Sequence, residues 1–385
     1  MKEKLFKDIE KQKDTLVKMS DEIFDNPELA FEENFSSKIL EDYLEHNGFY
    51  VERGLGNLKT AFRAIYRSNE DSEINIGLLC EYDALPMGHG CGHQLQGPSI
   101  VGAAVALRKL ELPFNLIVYG TPAEEGGGGK IKMLEQNFMK ELDIALMMHG
   151  GPATQVDVKS MAMSTHKVVF KGKSSHSALK PEDGRSALDA LMLAFQGIEF
   201  LREHVKEDTR MHYTISELPG PPNVVPSRAV GEFSLRSYNS KYLNEIVARF
   251  EKIVNGAALM TETNVEVKNV KRLESKVPVH SLNELLINNA KLINAPNLKE
   301  AREKTGSTDF GNVTYIIPGA CIRVQFVPDG TTSHSDVFLE YGKTKEAHEC
   351  IINSAKILAA TVFDLTNLER IKEIKKEFEN YKDRM

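Results

Sequence analysis

Three short apolar runs separated by helix-like segments constrain the fold of this chain more than any other feature. The runs are INIGLLC, FNLIVYG and DIALMMH, at residues 74–80, 114–120 and 143–149. Near-continuous apolar runs of this length are typical of strands buried on both faces of a sheet. The segment between the first two, PSIVGAAVALRKLEL, is rich in small residues and has helical periodicity. This alternation of strand and helix predicts a doubly wound α/β sheet.

The pattern changes after Met163 and predicts a second, smaller domain. From residue 166 the chain follows the order strand, helix, strand, strand, helix, strand, which is that of a ferredoxin-like α+β unit. The α/β character resumes near residue 277 and continues to a final amphipathic helix. We therefore expect a catalytic domain formed by residues 1–165 and 277–385, interrupted by an inserted domain at 166–276.

Composition excludes several classes of protein. The 385 residues are 41% hydrophobic and 27% charged, with a formal net charge of -7, which is typical of a soluble globular protein. No apolar run approaches the roughly 18 residues that span a bilayer, and the first residues lack the apolar core of a signal peptide. Basic residues are scattered rather than clustered, and four cysteines are too few for a disulfide framework. We expect a cytoplasmic enzyme with no membrane or nucleic-acid partner.

The loop EYDALPMGHGCGH, residues 81–93, directly follows the first predicted buried strand. Ligands of open α/β sheets bind beyond the carboxyl ends of the strands, so this loop is well placed for a site. Cys91 and His93 are two residues apart with Gly90 and Gly92 beside them, which lets a thiolate and an imidazole face one metal ion. The alternative is an ordinary loop with a buried thiol.

A second polar loop, TPAEEGGGGK at residues 121–130, follows the next predicted strand. Neighbouring residues of an extended segment point in opposite directions, so one of Glu124 and Glu125 can ligate a metal while the other holds a water for deprotonation. The alternatives are a solvated acidic turn and a phosphate-binding loop. The phosphate loop is disfavoured because Gly-Lys is followed by Ile131 rather than by Ser or Thr.

Histidines mark two further strand ends. His149 meets a glycine pair in MMHGG, and His334 lies in TTSHSDVF, just beyond the predicted strand ACIRVQFVP. A single histidine at such a position is more often structural than catalytic. Five candidate ligands nevertheless lie at or just beyond predicted strand ends: Cys91, His93, Glu125, His149 and His334. Five are too many for one tetrahedral zinc and suit two ions that share a bridging group.

The inserted domain adds three polar candidates, His176, Asn223 and Arg236, which by default are ordinary surface residues. Arg236 lies on the strand face opposite Phe233 and Leu235, so it should not enter the core of the domain. A guanidinium there can hold a substrate carboxylate through two parallel hydrogen bonds. In the catalytic domain, the turn-rich GSTDFGNV is suited to a polar wall of the site through Thr308, Asp309 and Asn312.

These segments, in this order, resemble the metallopeptidase family that includes aminoacylases, carboxypeptidase G-type enzymes and amino-acid amidohydrolases. Within it the chain looks most similar to the branch of aminobenzoyl-glutamate hydrolase and the related dipeptidases. The motifs that carry the resemblance span nearly the whole chain: EYDALPMGHGCGH, GTPAEEGGGGK, the GxxxH of GKSSH, PNVVP, GSTDFGNV and SHSDVF. The resemblance implies a catalytic domain with two divalent metals and an inserted lid domain that commonly dimerises.

The resemblance also implies roles for individual residues. The five candidates named above match the metal ligands, and Glu124 matches the general base. Asp83 matches the acidic residue that orients or tunes the metal site. His176 matches a lid histidine that in relatives often reaches the active site of the partner subunit, while Asn223 and Arg236 match lid positions that hold the substrate carboxylate.

Glu81 stands where many relatives have a first histidine ligand, and in this branch the Cys-Gly-His loop supplies the ligands instead. The chain departs from the pattern of the branch at two places. Gln94 stands where this branch usually has Asn or Asp, and GPPNVVP stands where a glycine pair usually precedes the asparagine. Neither departure falls on a proposed ligand, and both bear on substrate preference.

We therefore expect a metal-dependent hydrolase that cleaves an amide bond to an amino acid with a free carboxylate, in an aminobenzoyl-glutamate-like compound or a dipeptide. Zinc or manganese, with cobalt also compatible, suits the mixed ligand set. A homodimer through the lid domain is expected. The alternatives are an N-acyl-amino-acid deacylase with the same site, a metal-independent hydrolase with Cys91 as nucleophile and His93 or His149 as base, and a non-enzymatic binder. The intact ligand set disfavours the binder.

Overall fold

A computed structural model describes residues 1–68 and 72–385 of the chain. These residues divide into two compact units. The first combines Met1–Lys159 with Lys276–Arg384, and the second comprises Ser160–Ser275 together with Met385.

The helices and strands are numbered in chain order. The strands are β1 Tyr50–Leu55, β2 Leu58–Tyr66, β3 Asn75–Cys80, β4 Asn115–Gly120, β5 Ile144–Gly151, β6 Gln155–Ser160, β7 Ala162–Lys171, β8 Arg210–Glu217, β9 Arg228–Ser237, β10 Asn264–Leu273, β11 Arg302–Thr305 and β12 Gly319–Gln325. The helices are α1 Lys2–Glu10, α2 Lys13–Asp25, α3 Asn34–His46, α4 Gln96–Arg108, α5 Gly129–Glu135, α6 Ala187–Arg202, α7 Ser240–Met260, α8 His280–Leu292, α9 Phe310–Thr314, α10 Asp336–Tyr341, α11 Lys345–Asp364 and α12 Leu368–Lys382.

The first unit is built on a mixed sheet with the strand order β1-β2-β4-β3-β5-β12-β6-β11. Its centre is parallel, since β3 pairs with both β4 and β5, and β5 pairs with β12. The predicted buried strands are confirmed: every residue of β4 and β5 is buried. Because the central strands run in one direction, the loops at their carboxyl ends come together at one edge of the sheet. This edge is where the candidate site lies.

The second unit has the predicted β-α-β-β-α-β order, with the sheet β10-β7-β9-β8. Its core comes from α6 and α7 packed on one face of this sheet, with Leu191, Phe233 and Phe250 almost completely buried. The hydroxyl of Ser186 accepts the N–H of Asp189 at 3.1 Å and caps α6, as the sequence predicts. The fold class predicted from the sequence is therefore confirmed.

No helix in the two described ranges combines the length and the apolar character needed to cross a membrane.

Candidate metal centre and active site

The loop after β3 and the end of β5 bring a thiol and two imidazoles together. Cys91, His93 and His149 are buried, and one ligand atom from each lies within 4.8 Å of the others. The sulfur of Cys91 is 3.6 Å from Nε2 of His149, and the His93 and His149 rings meet edge to face with centroids 5.4 Å apart. Gly92 has a φ of 84°, a conformation that favours glycine and turns the chain between the two loop ligands.

Two further groups join this one through shared members. Cys91, Glu125 and His334 form one, and His93, Glu124 and Glu125 form the other, within the same 4.8 Å limit. Nε2 of His334 lies 3.0 Å from Oε1 of Glu125. The backbone N–H of His334 donates to the carbonyl of Gly90 at 2.9 Å, which joins its loop to the cysteine loop. The structure thus brings all five sequence-predicted ligands into one cluster.

The hydrogen bonds of the histidines leave the nitrogens that face this cluster free to ligate. Nδ1 of His93 lies 3.1 Å from both the carboxylate and the carbonyl oxygen of Asp83, so it carries the proton. Nε2 of His93 is buried 3.3 Å from a carboxylate oxygen of Glu81, but it makes no hydrogen bond to residues 1–68 and 72–385. Nδ1 of His149 lies 2.7 Å from the carbonyl of Gly150. Histidine ligands of metals typically donate their other ring N–H in this way, so the residues fit a metal ion.

Asp83 connects the cysteine loop, residues 81–93, to the glutamate loop, residues 121–130. One carboxylate oxygen faces His93, and the other accepts the N–H of Glu125 at 3.0 Å. The side chain is almost completely buried. Asp83 therefore contacts two candidate ligands at once, and its role in orienting a metal site stays a prediction.

Glu124 is half-buried beside the ligand cluster. Burial, and then the negative charges of Glu81 and Asp309, raise the pKa of its carboxyl to about 8. A carboxyl group with a pKa near the working pH can both accept and release a proton. This is the property that a general base and acid requires.

The thiol of Cys91, unlike the carboxyl of Glu124, has a pKa far from neutral pH. Burial raises the pKa of its thiol to about 12, although the neighbouring His93 opposes the shift. A thiol with such a pKa is protonated at neutral pH and is a poor nucleophile unless a cation is bound. This disfavours the cysteine-nucleophile alternative.

The fourth group of candidate ligands is wholly acidic and consists of Glu81, Glu124 and Asp309. Two of its members already bind the ammonium of Lys130. The ammonium of Lys130 lies 2.5 Å from Glu81 and 2.7 Å from Asp309, and all three side chains are buried. Gln96 donates a further hydrogen bond to Glu81 at 2.7 Å. Sequence reasoning considered Lys130 only as part of a rejected phosphate loop and missed this contact.

A second residue that was missed is Arg323, the direct neighbour of His149 across the β5–β12 pair. Its guanidinium lies 3.2 Å from Nδ1 of His149, and its Nε donates to Asp157 at 3.0 Å. Asp157 also binds Arg302 through both carboxylate oxygens. The alternating pattern of β12 contains Arg323, but only the parallel pairing reveals that it flanks a candidate ligand.

The three inserted-unit candidates lie on two loops and a strand. His176 is exposed and pairs with Val224 in an isolated bridge, and the N–H of Ser177 donates to the carbonyl of Asn223. His176 and Asn223 are therefore on adjacent loops. Arg236 is half-buried on β9, and its Nε has no hydrogen-bond partner within the described part of the chain.

Comparison with known proteins shows the family to which the chain belongs. A model of peptidase family M20/M25/M40 matches residues 80–362. The chain is 31% identical to human Xaa-Arg dipeptidase over 380 residues, covering 93% of this chain and 87% of the relative. It is 31% identical to one of the p-aminobenzoyl-glutamate hydrolase polypeptides of Escherichia coli over 437 residues, covering 93% and 90%. A dinuclear metal-binding M20 peptidase of Bacillus subtilis shares the fold, with a TM-score of 0.73, 20% identity and coverage of 93% and 99%.

The chain therefore belongs to peptidase family M20/M25/M40. It is a metal-dependent amidohydrolase, a class that the ligand cluster and the adjacent Glu124 fit. All five candidate ligands lie within the residues that the family model matches.

Proposed function

We propose that this enzyme hydrolyses an amide bond whose leaving side is an amino acid with a free carboxylate, in a dipeptide or an aminobenzoyl-glutamate-like compound. The observation that carries the proposal is the meeting of five candidate metal ligands with Glu124, whose pKa is raised to about 8. The similarity to a dipeptidase and to a p-aminobenzoyl-glutamate hydrolase, each over 93% of the chain, supports this substrate class.

Cys91, His93, Glu125, His149 and His334 would hold two divalent ions, zinc or manganese, with cobalt also compatible. Bound there, such ions acidify a water and polarise a carbonyl oxygen. Asp83 keeps the proton of His93 on Nδ1 and so keeps Nε2 available. Two ions rather than one are proposed because five candidate ligands exceed the four of a tetrahedral site, and Cys91, His93 and Glu125 each belong to two of the ligand groups.

Glu124 is the proposed general base and then general acid. A carboxylate oxygen of Glu124 takes a proton from the attacking water as the new C–O bond forms. The same oxygen then delivers the proton to the amide nitrogen as the C–N bond breaks. A pKa near 8 suits both steps, because neither protonation state is strongly disfavoured at neutral pH.

The inserted unit is proposed to recognise the substrate. Arg236 and Asn223 bind its carboxylate, and this role is supported by the Nε of Arg236, a buried donor with no hydrogen-bond partner among the described residues. His176, exposed on its loop, stabilises the oxyanion of the tetrahedral intermediate. A homodimer through the inserted unit and a cytoplasmic location complete the proposal.

The test combines metal analysis with a substrate panel. The panel contains p-aminobenzoyl-glutamate, several dipeptides and an N-acetyl amino acid, each assayed on the full chain before and after chelation. Cleavage of the dipeptides or of p-aminobenzoyl-glutamate supports the proposal, and cleavage of the N-acetyl compound alone supports the deacylase alternative. Activity that resists complete metal removal would overturn it.

Glu124→Gln tests the proton transfer separately. The variant should keep the metal content of the wild type and lose about 10²- to 10⁴-fold in turnover, because the amide cannot take a proton from water. Glu135→Gln, an exposed change in α5, is the matched control and should turn over normally. Full activity in E124Q would remove Glu124 from its role.

A further inference from the structure

Two residues other than glycine have left-handed backbone conformations, one just before α3 and one within the glutamate loop, residues 121–130. Phe31, just before α3, has a φ of 65°, and Ala123, directly before Glu124, has a φ of 59°. Such conformations are uncommon for residues with a Cβ and persist only where the surroundings enforce them. The two positions are 92 residues apart in sequence, as their numbers give, yet they share one partner.

That partner is the carboxylate of Glu33. Its Oε1 accepts the N–H of Phe31 at 2.9 Å and the N–H of Ala123 at 2.9 Å. Its Oε2 accepts the hydroxyl of Thr60 at 2.7 Å. One side chain thus fixes both left-handed residues through their backbones.

The environment of Glu33 is unusual for an acidic residue. It is completely buried, and it forms no ion pair with a cation of the described residues. It stands at the N-cap of α3 but makes no side-chain capping bond to that helix. Burying a carboxylate costs free energy unless hydrogen bonds compensate for the lost water. The three donors that Glu33 binds supply this compensation, and two of them are backbone N–H groups.

The glutamate loop is also supported by the ring of Phe31. A Cβ at Gly127 would lie 2.2 Å from Cε2 of that ring, so the ring and the loop backbone are in direct contact. The loop returns on itself through the N–H of Gly127, which donates to the carbonyl of Ala123 at 3.0 Å. Ala123 is therefore the residue through which Glu33, in the segment before α3, is hydrogen-bonded to the backbone of the loop.

We propose that Glu33 is a positioning residue: through the N–H of Ala123 it fixes the backbone that carries Glu124 and Glu125. This inference rests on the function proposed above for those two glutamates. Glu33 touches no substrate and acts only through the loop.

Glu33→Gln tests the proposal with a side chain of nearly the same size. All three partners of Glu33 are donors, so the amide nitrogen of the variant must face one of them and the triple contact is lost. We expect kcat to fall about 10- to 100-fold with KM changed less than twofold, because misplacement of a catalytic group of the order of 1 Å has such an effect. Metal content measured with metal in excess should stay unchanged, because four of the five candidate ligands lie outside this loop. Amide hydrogen exchange over residues 121–128 should become faster.

Glu28→Gln is the matched control. Glu28 lies in the same segment and also accepts backbone N–H groups, but those of Phe35 and Ser36 at the start of α3. Its substitution should lower the melting temperature while leaving kcat and exchange in the loop unchanged. Thr60→Val, which removes only the bond to Oε2, is a milder second variant should E33Q fail to fold, and it should still lower kcat and speed exchange.

Loss of kcat with faster loop exchange in E33Q, and neither in E28Q, supports the proposal. Unchanged kcat in a folded E33Q, with or without faster exchange, overturns it, as does an unchanged kcat in T60V where only that variant folds. A wild-type chain that cleaves no member of the panel defeats the proposed function instead. In that case unchanged exchange over residues 121–128 in E33Q would overturn the part assigned to Glu33 independently.

Discussion

At the scale of single residues, Lys130 is the buried cation that neutralises the carboxylates of Glu81 and Asp309 in the catalytic unit. Burial favours its neutral amine, but Asp309 and Glu81 outweigh this and hold the pKa of Lys130 above its usual value. Replacing it with Met leaves two buried carboxylates without a cation. Lys130→Met should therefore lower the free energy of unfolding by ~3–5 kcal/mol, the usual cost of breaking a buried ion pair. Chemical denaturation of the full chain measures the loss.

Two comparisons separate charge from packing in that experiment. Lys140→Met removes an exposed lysine that donates a hydrogen bond to the side chain of Asn137, and it should change stability little. The double variant K130M/D309N should be less destabilised than K130M, because one of the uncompensated charges is gone. Equal stability of K130M and K140M would contradict the argument.

The candidate ligands could be found from sequence because each follows or ends a recognisable buried strand. Their grouping follows from the parallel sheet, although their roles as ligands stay a prediction. Lys130 could not be found in this way, since its partners are 49 and 179 residues away and neither segment has a pattern that indicates an ion pair. Its place directly after the four glycines that follow a buried strand is the one feature of the sequence that could have indicated a buried role for Lys130.

At the scale of elements, the sequence predicts the strands that carry a continuous or alternating apolar pattern and overlooks the edge strand β11, which carries neither. β3, β4 and β5 are found because their apolar runs are continuous. β11, with the sequence REKT at the edge of the sheet, has no buried residue and no apolar pattern. The helix α3 is also missed, because its buried face mixes only two leucines with polar residues: Leu40 and Leu44 with Ser36, Ser37 and Glu41.

The packing of β7 on α7 contains a pH-dependent contact. His166 on β7 is buried against the Phe250 ring of α7, and its Nε2 lies 2.8 Å from the hydroxyl of Ser164. Burial, and then the positive charge of Arg272, lower the pKa of His166 to about 4. The unfolded chain, with a histidine pKa of roughly 6.5, binds more protons in this range, so stability is lost as the pH falls from about 6.5 toward 4.

Replacing His166 by Gln should remove this dependence while keeping a partner for Ser164. We expect the melting temperature of the inserted unit to fall more steeply in the wild type than in H166Q between pH 6.5 and 4.5. Thermal unfolding of both proteins at a series of pH values gives the difference directly. Parallel curves for the two proteins would show that His166 does not titrate in this way.

At the scale of the whole molecule, the catalytic unit is assembled from two stretches of chain separated by the insert. Four candidate ligands lie before the inserted unit, and His334 lies after it. Metal binding therefore requires both stretches to be folded together, and it adds to the stability of that unit alone. A ligand present at about 100 times its dissociation constant contributes ~2.7 kcal/mol by mass action.

Chelation should accordingly destabilise one unit and not the other. When bound metal is removed, peptides from the catalytic unit should exchange their amide hydrogens faster, while peptides from Ser160–Ser275 should keep their rates. Arg236→Ala is an instructive companion, since it should lower kcat/KM for substrates with a free carboxylate and leave the effect of chelation unchanged. Equal loss of protection in both units would mean that the ions are not held by the five-residue cluster alone. Because the readout is exchange rather than turnover, the result tests the metal centre even before a substrate is known.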